Sequence, residues 1–177
     1  MKVLVVVDMQ NDFIGGALGT PEAAGIVPHV VEKIRDWEGR VYATQDTHSA
    51  GYLDTQEGRN LPVAHCVEGT PGWQLADPVQ RALEERQGVQ YLTKPTFGSR
   101  DLAEELEKLN RSEPMEEVEL VGLCTDICVI SNALLFKAFL PETPVSVDAS
   151  CCAGATPKSH QNALDAMKMC QITIRNE

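Results

Sequence analysis

Cys128 sits in the stretch Gly122-Leu123-Cys124-Thr125-Asp126-Ile127-Cys128-Val129, where an apolar run gives way to a helical pattern. A thiol in such a turn meets unpaired backbone N–H groups and the positive end of a helix dipole, which draw its pKa down toward thiolate. The same N–H groups can receive an oxyanion. Position alone also allows a buried helix residue with no chemistry, and Cys124, one turn earlier, competes for the nucleophilic role. Asp8 closes the apolar run 3–7 and is followed by Met9-Gln10-Asn11-Asp12-Phe13, a loop rather than an immediate helix, so capping explains it less well. Lys94 closes another apolar run before Pro95, although a lysine there commonly points to solvent. A carboxylate, an ammonium and a thiol at three strand ends could form a triad. Asp8 would take the thiol proton, and Lys94 would keep Asp8 ionised and oriented.

A second constellation is Asp46-Thr47-His48, with His65 farther along the same glycine-rich stretch. Asp46 and His48 are two residues apart and point the same way from an extended segment. Two imidazoles and a carboxylate suit zinc, iron or manganese with positions left for water or ligand. Glu57 or Asp54 could be a fourth ligand. Each histidine taken alone is as well explained as a surface or capped loop residue.

The elements that must hold these residues alternate short apolar runs with helical periodicity. Strands are expected at 2–8, 40–46, 89–94, 117–122, 145–148 and 171–174, rich in Val, Ile and Leu without strict alternation, which suits strands buried on both faces. Val27, Val30, Val31 and Ile34 form the stripe of a first helix. Asp77-Pro78 reads as a cap followed by proline, opening a helix to about residue 86. Ser99 caps a helix carrying Leu102, Leu106 and Leu109, Asp126 caps one running to about residue 140, and Thr156-Pro157 opens the last. The pattern implies one domain over residues 1–177, a doubly wound α/β sandwich with a mainly parallel six-stranded sheet. Residues 9–22 and 47–74 read as loops, the second long enough to suggest a functional role. In such a fold ligands bind outside the carboxyl ends of the strands, where Asp8, Asp46, Lys94 and the Gly122-to-Cys128 turn all fall.

Composition narrows the partners. A net charge of −11 argues against nucleic acid or an anionic membrane. The apolar run 3–7 is too short for a signal-peptide core or a membrane span, so a soluble cytoplasmic protein is expected. Six cysteines in a chain of 177 residues do not make a disulfide framework, and most should be small buried hydrophobes.

Five segments together carry a family resemblance: Val7-Asp8-Met9-Gln10-Asn11-Asp12-Phe13, Gln45-Asp46-Thr47-His48, Pro62-Val63-Ala64-His65-Cys66-Val67-Glu68-Gly69-Thr70, Lys94-Pro95-Thr96-Phe97-Gly98-Ser99 and the Cys128 stretch. The chain resembles the isochorismatase-like cysteine hydrolases, and within them the nicotinamidases. The resemblance implies an isochorismatase-like three-layer sandwich, a triad of Asp8, Lys94 and Cys128, and a metal held by Asp46, His48 and His65. It also implies a cis peptide between Leu123 and Cys124, with the N–H groups of Cys124 and Cys128 forming an oxyanion hole. Phe13 looks like the aromatic that packs on the substrate ring. Phe97 and Trp73 are further pocket candidates, each with core packing as its alternative. The substrate implied is a small-molecule amide, and the family's habit of associating admits a homo-oligomer.

The chain departs from the pattern in two places. The segment after Lys94 is shorter than is common, and the metal loop lacks a third histidine, leaving that position to Glu57 or water. Two alternatives therefore stay open. One is a sibling amidohydrolase acting on an N-carbamoyl or ureido compound. The other is a non-catalytic metal- or redox-binding protein on a flavodoxin-like sandwich, which the absence of a C-x-x-C motif disfavours. An isochorismatase proper would not need the thiol.

Overall fold

A computed structural model describes residues 1–177. Its centre is β1 (Lys2–Val7), whose β-branched side chains suit an extended backbone and are buried on both faces. Because side chains alternate along a strand, Val3, Val5 and Val7 enter one core and Leu4 and Val6 the other. Flanking β1 are β2 (Arg40–Asp46) and β4 (Glu117–Leu123). The sheet is completed by β3 (Gln90–Lys94), β5 (Val145–Ala153) and β6 (Thr173–Arg175), in the order β3-β2-β1-β4-β5-β6 with every pairing parallel.

Parallel strands need crossovers, and helices provide them on both faces. Leu4 and Val6 pack beneath α2 (Pro21–Asp36) and α4 (Asp77–Glu84), against Val30, Ile34, Val79 and Leu83. The other face is covered by α5 (Arg100–Ser112), α6 (Ile130–Phe139) and α7 (Pro157–Met169), which contribute Leu102, Leu106, Phe136, Leu164 and Met167. The remaining helices, α1 (Asn11–Ile14) and α3 (Gln56–Asn60), are short and lie at the mouth of the sheet. Ser99 caps α5 by accepting from Leu102 N, and Thr156 forms a capping box with Ser159, as the sequence leads one to expect. No helix is long and apolar enough to cross a membrane.

Several expected boundaries move. The first helix starts at Pro21, capped by Thr20, and its buried stripe is Ala23, Ile26, Val30 and Ile34, with Val27 and Val31 only partly covered. Asp77 is the first residue of α4 rather than its cap, a position held by Ala76. Asp126 caps nothing. A π-helical turn, Thr125–Val129, precedes α6, and the Asp126 carboxylate accepts instead from the backbone N–H of Ala155. β5 runs past Asp148 to Ala153, because its pairing with β4 slips between Leu120 and Gly122 and accommodates the polar residues in a bulge. Within that bulge Ser150 donates to Asp148 Oδ1.

The chain winds away from β1 in both directions, so the β1–β4 gap is the point where a doubly wound sheet leaves a crevice. Gly122 closes the base of that gap. Its φ is +116°, and a Cβ there would run into the Val7 carbonyl of the paired strand. Gly69 also has positive φ, +79°, but nothing lies near its missing Cβ. Gly69→Ala should therefore cost about 1–3 kcal/mol, the price of the backbone conformation alone. Gly122→Ala should cost clearly more in urea unfolding, since a backbone carbonyl must also move. Equal losses would show that the close approach at Val7 is unimportant.

Candidate active site

Asp8, Asp46 and Lys94 close β1, β2 and β3, and the π-helical turn follows β4. Lys94 and Asp46 are register partners, and Val7, just before Asp8, pairs with Thr44 on one side and Gly122 on the other. The three strand ends thereby converge. Lys94 Nζ lies 2.7 Å from Asp8 Oδ2, 3.4 Å from Asp46 Oδ1 and 3.3 Å from Cys128 Sγ, and donates to Thr96 O at 3.1 Å. Asp8 takes a left-handed φ of 48° and receives a hydrogen bond from Thr44 Oγ1 at 2.7 Å. Its Oδ2 accepts no aligned hydrogen bond from protein, the Lys94 ion pair being off axis, so that oxygen is open to another donor. The Leu123–Cys124 peptide is cis.

Burial governs the protonation of this cluster. It raises the Asp8 carboxyl above the ordinary carboxylate value, with Lys94 pulling the other way. Lys94 is itself penalised by burial, but the charges of Asp8 and Asp46 outweigh this and hold it cationic. Burial pushes the Cys128 thiol well above the ordinary thiol value, and the Asp8 charge adds to the effect against the pull of Lys94. The expected lowering of this pKa by a helix terminus is therefore corrected. Cys128 is 4% exposed inside the π-helical turn, and desolvation is the largest influence on its thiol. Cys124 is likewise pushed up, to about 12, chiefly by burial.

Beside the cluster, Asp46, His48, Glu57 and His65 each offer one ligand atom, all within 4.8 Å of one another. His48 Nε2 lies 2.9 Å from Asp46 Oδ2, yet it is buried without an aligned hydrogen bond. His65 Nδ1 is engaged by Val63 O at 2.8 Å, which directs Nε2 into the group. Donor atoms from three buried residues and the half-buried Glu57, crowded together without hydrogen bonds between them, fit a shared divalent cation, and two imidazoles with two carboxylates form a borderline donor set. Asp54, the other candidate fourth ligand, lies outside the group in a 3₁₀ turn. The loop that presents these ligands is ordered by short-range structure: Tyr52 is buried against both imidazoles, at 4.6 and 4.9 Å between ring centroids, and its hydroxyl donates to Leu61 O.

The two groups share one pocket of about 470 Å³. Phe13 and Phe97 line it, together with Asp46, Glu57, His65, Cys124 and Cys128. Trp73 does not, contrary to expectation. Its indole N–H donates to Thr47 Oγ1 at 2.8 Å and its ring packs against the α2–α4 core. Leu18, Leu61 and Ile127 also line the pocket and were not anticipated; Ile127 could have been found as the neighbour of Cys128. Gln10 is another unanticipated residue. Fully buried, it bonds both the N–H and the carbonyl of Asp46, at 2.7 and 2.8 Å, and also the Trp73 carbonyl.

The isochorismatase domain model matches residues 2–177. The chain belongs to the isochorismatase family. It is 30% identical over 195 residues to the nicotinamidase of Escherichia coli, covering 95% of this chain and 90% of that one. The pyrazinamidase of Pyrococcus horikoshii, solved in complex with zinc, superposes with a TM-score of 0.78 at 30% identity, covering 98% of this chain and 97% of the other. The N-carbamoylsarcosine amidase of Thermoplasma acidophilum does so at 0.74 and 28% identity, covering 99% and 97%.

The donor set makes a direct prediction about this family member. Loss of an outer partner of a metal ligand typically weakens binding about 10–100-fold. His48→Ala, which removes a ligand atom itself, should weaken divalent-metal binding by at least about 100-fold, read as zinc, iron and manganese content after dialysis against a buffered metal. Unchanged content in a folded variant would remove His48 from the site.

Proposed function

We propose that this protein is a cysteine amidohydrolase, specifically a nicotinamidase that converts nicotinamide to nicotinate and ammonia through a Cys128 thioester. It is a hydrolase acting on amide bonds, and it works as one domain over residues 1–177. The observation that carries the proposal is the Lys94 ammonium in contact with Asp8 and with Cys128, which lines a mostly apolar pocket together with Asp46, Glu57 and His65 of the metal-competent group. The six free cysteines suit a reducing compartment, and we place the enzyme in the cytoplasm.

The mechanism follows from the protonation states. Cys128 rests as a thiol, so a base must take its proton as it attacks. Asp8 and Cys128 meet on the same Lys94 ammonium, and the raised pKa of Asp8 makes it a better base than an ordinary carboxylate. The sulfur attacks the amide carbon, and the carbonyl electrons move to oxygen. The N–H groups of Cys124 and Cys128 receive that oxyanion, each such donor being worth about 3–4 kcal/mol. Asp8 then returns its proton to the leaving nitrogen, releasing ammonia and the thioester. It next takes a proton from water, whose oxygen attacks the thioester carbon, and the thiol leaves reprotonated. Lys94 favours the ionised form of Asp8 between transfers and holds the carboxyl in place.

Phe13 and Phe97 flank an aromatic ring in the pocket, which limits its orientations before attack. Asp46, His48, Glu57 and His65 would hold a divalent metal, zinc foremost with iron or manganese as alternatives, which would supply Lewis acidity toward a ring nitrogen. The likeness to an N-carbamoylsarcosine amidase supports a second reading, in which the substrate is a carbamoyl amino acid. The lining opposes it: no arginine or lysine lines the pocket to meet a substrate carboxylate. The redox alternative fares worse, since Cys151 is buried with its thiol pushed up to about 11.

Ammonia release should be measured with nicotinamide, pyrazinamide and N-carbamoyl amino acids on the wild type and on Cys128→Ala. Turnover of the pyridine amide that vanishes in the variant, a loss of at least about 10⁴-fold, is expected. Preference for carbamoyl acids would overturn the substrate, and residual turnover near wild type would overturn the nucleophile.

A further inference from the structure

Asn132 lies one helical turn beyond Cys128 and is fully buried. Its side-chain amide makes three bonds, all to backbone. Nδ2 donates to Cys128 O at 2.8 Å and to Phe97 O at 3.2 Å, and Oδ1 accepts from Ser99 N at 2.8 Å. One side chain thus joins the turn that carries the thiol to the loop that follows Lys94. The loop lies close on α6 here: a Cβ at Gly98 would sit 3.4 Å from Ser131 O. Within the loop, Thr96 Oγ1 donates to Gly98 O, and Thr96 O accepts from Lys94 Nζ. The contacts close a ring that runs from Asn132 through the loop and Thr96 to Lys94, across to Cys128 Sγ, and back through Cys128 O.

We propose that Asn132 is a positioning residue that sets the Lys94–Cys128 separation and the place of Phe97 at the pocket mouth. The inference rests on Cys128 being the nucleophile. Only an amide fits the position, because the three partners require two donated hydrogens and one acceptor. Aspartate keeps the bond from Ser99 N but loses both donors and sets a carboxylate against two carbonyls. Serine can still donate to the carbonyl four residues back, Cys128 O, and releases the loop. The two variants separate the halves of the clamp.

Asn132→Asp and Asn132→Ser should be compared with wild type for kcat and KM on nicotinamide, for iodoacetamide labelling of Cys128 followed by peptide mass spectrometry, and for melting temperature. A misplacement of about 1 Å at a reacting group can cost about 100-fold. We expect kcat to fall about 10- to 100-fold in Asn132→Asp and Cys128 labelling to slow with it. In Asn132→Ser, which frees Phe97 while keeping the Cys128 bond, KM should rise more than kcat falls. A lower melting temperature with wild-type kcat, KM and labelling below the transition would make Asn132 purely structural and overturn the proposal. Should either variant fail to fold, the other, with Ser99→Pro to remove the loop's donor to Asn132, supplies the same comparison. Full activity in Cys128→Ala would instead overturn the nucleophile on which the inference rests, a result distinguishable from wild-type behaviour of the Asn132 variants.

Discussion

The Lys94 ammonium is 1% exposed and sits between two carboxylates that are themselves buried. An ion removed from water costs several kcal/mol, and it is tolerated only when its partners are held at contact distance. That requirement reaches through the sheet. Neighbouring strands lie about 4.8 Å apart, so the ends of β3, β2 and β1 can bring Lys94, Asp46 and Asp8 into contact only in this strand order and register. The fully buried valines of β1 and the close approach of Gly122 to Val7 then matter as devices that keep three strand ends level.

The same electrostatics decides what the thiol can do. A thiolate at Cys128 with Asp8 still ionised would add a negative charge to a site that already holds two buried carboxylates against one ammonium. Burial and Asp8 both resist that charge, as the raised Cys128 pKa records. Passing the proton from sulfur to Asp8 moves charge between two groups that contact the same ammonium and leaves the total unchanged. The cluster is therefore suited to a proton transfer coupled to attack, and poorly suited to a standing thiolate of the kind a helix terminus makes.

The strand ends were legible in the sequence because an ionisable residue closing a Val-rich run is a local signal, visible at Asp8, Asp46 and Lys94 without knowledge of the fold. Family motifs then linked them. What escaped notice shares a different physics. Gln10 and Asn132 act through side-chain amides bonded to backbone groups as many as 63 residues away, and a buried amide carries no periodicity or charge pattern to announce its partners. Trp73 kept two readings, pocket and core, because composition near a site does not say which way a ring turns; its N–H found Thr47 and its ring the core. Asp148 looked like the end of β5, since nothing local distinguishes a polar bulge from a turn.

The two walls of the pocket are held by different means, and this bears on where selectivity arises. The side carrying His65, with His48 behind it, is fixed at many points: His48 N bonds Cys66 O, Cys66 N bonds Asp12 Oδ2, and Tyr52 packs tilted and edge-on against the two imidazoles. The opposite wall, from Pro95 to Gly98, carries Phe97 at 45% exposure and reaches α6 through one amide. A ring entering the pocket meets fixed donors on one side and a singly tethered aromatic on the other. Fixed donors discriminate sharply, because a substrate lacking the matching lone pair leaves buried polar atoms unpaired, whereas an apolar face accepts rings of similar size almost equally. Discrimination among amides should therefore reside in the His48–His65 wall, with Phe97 tolerating variation in ring substituents.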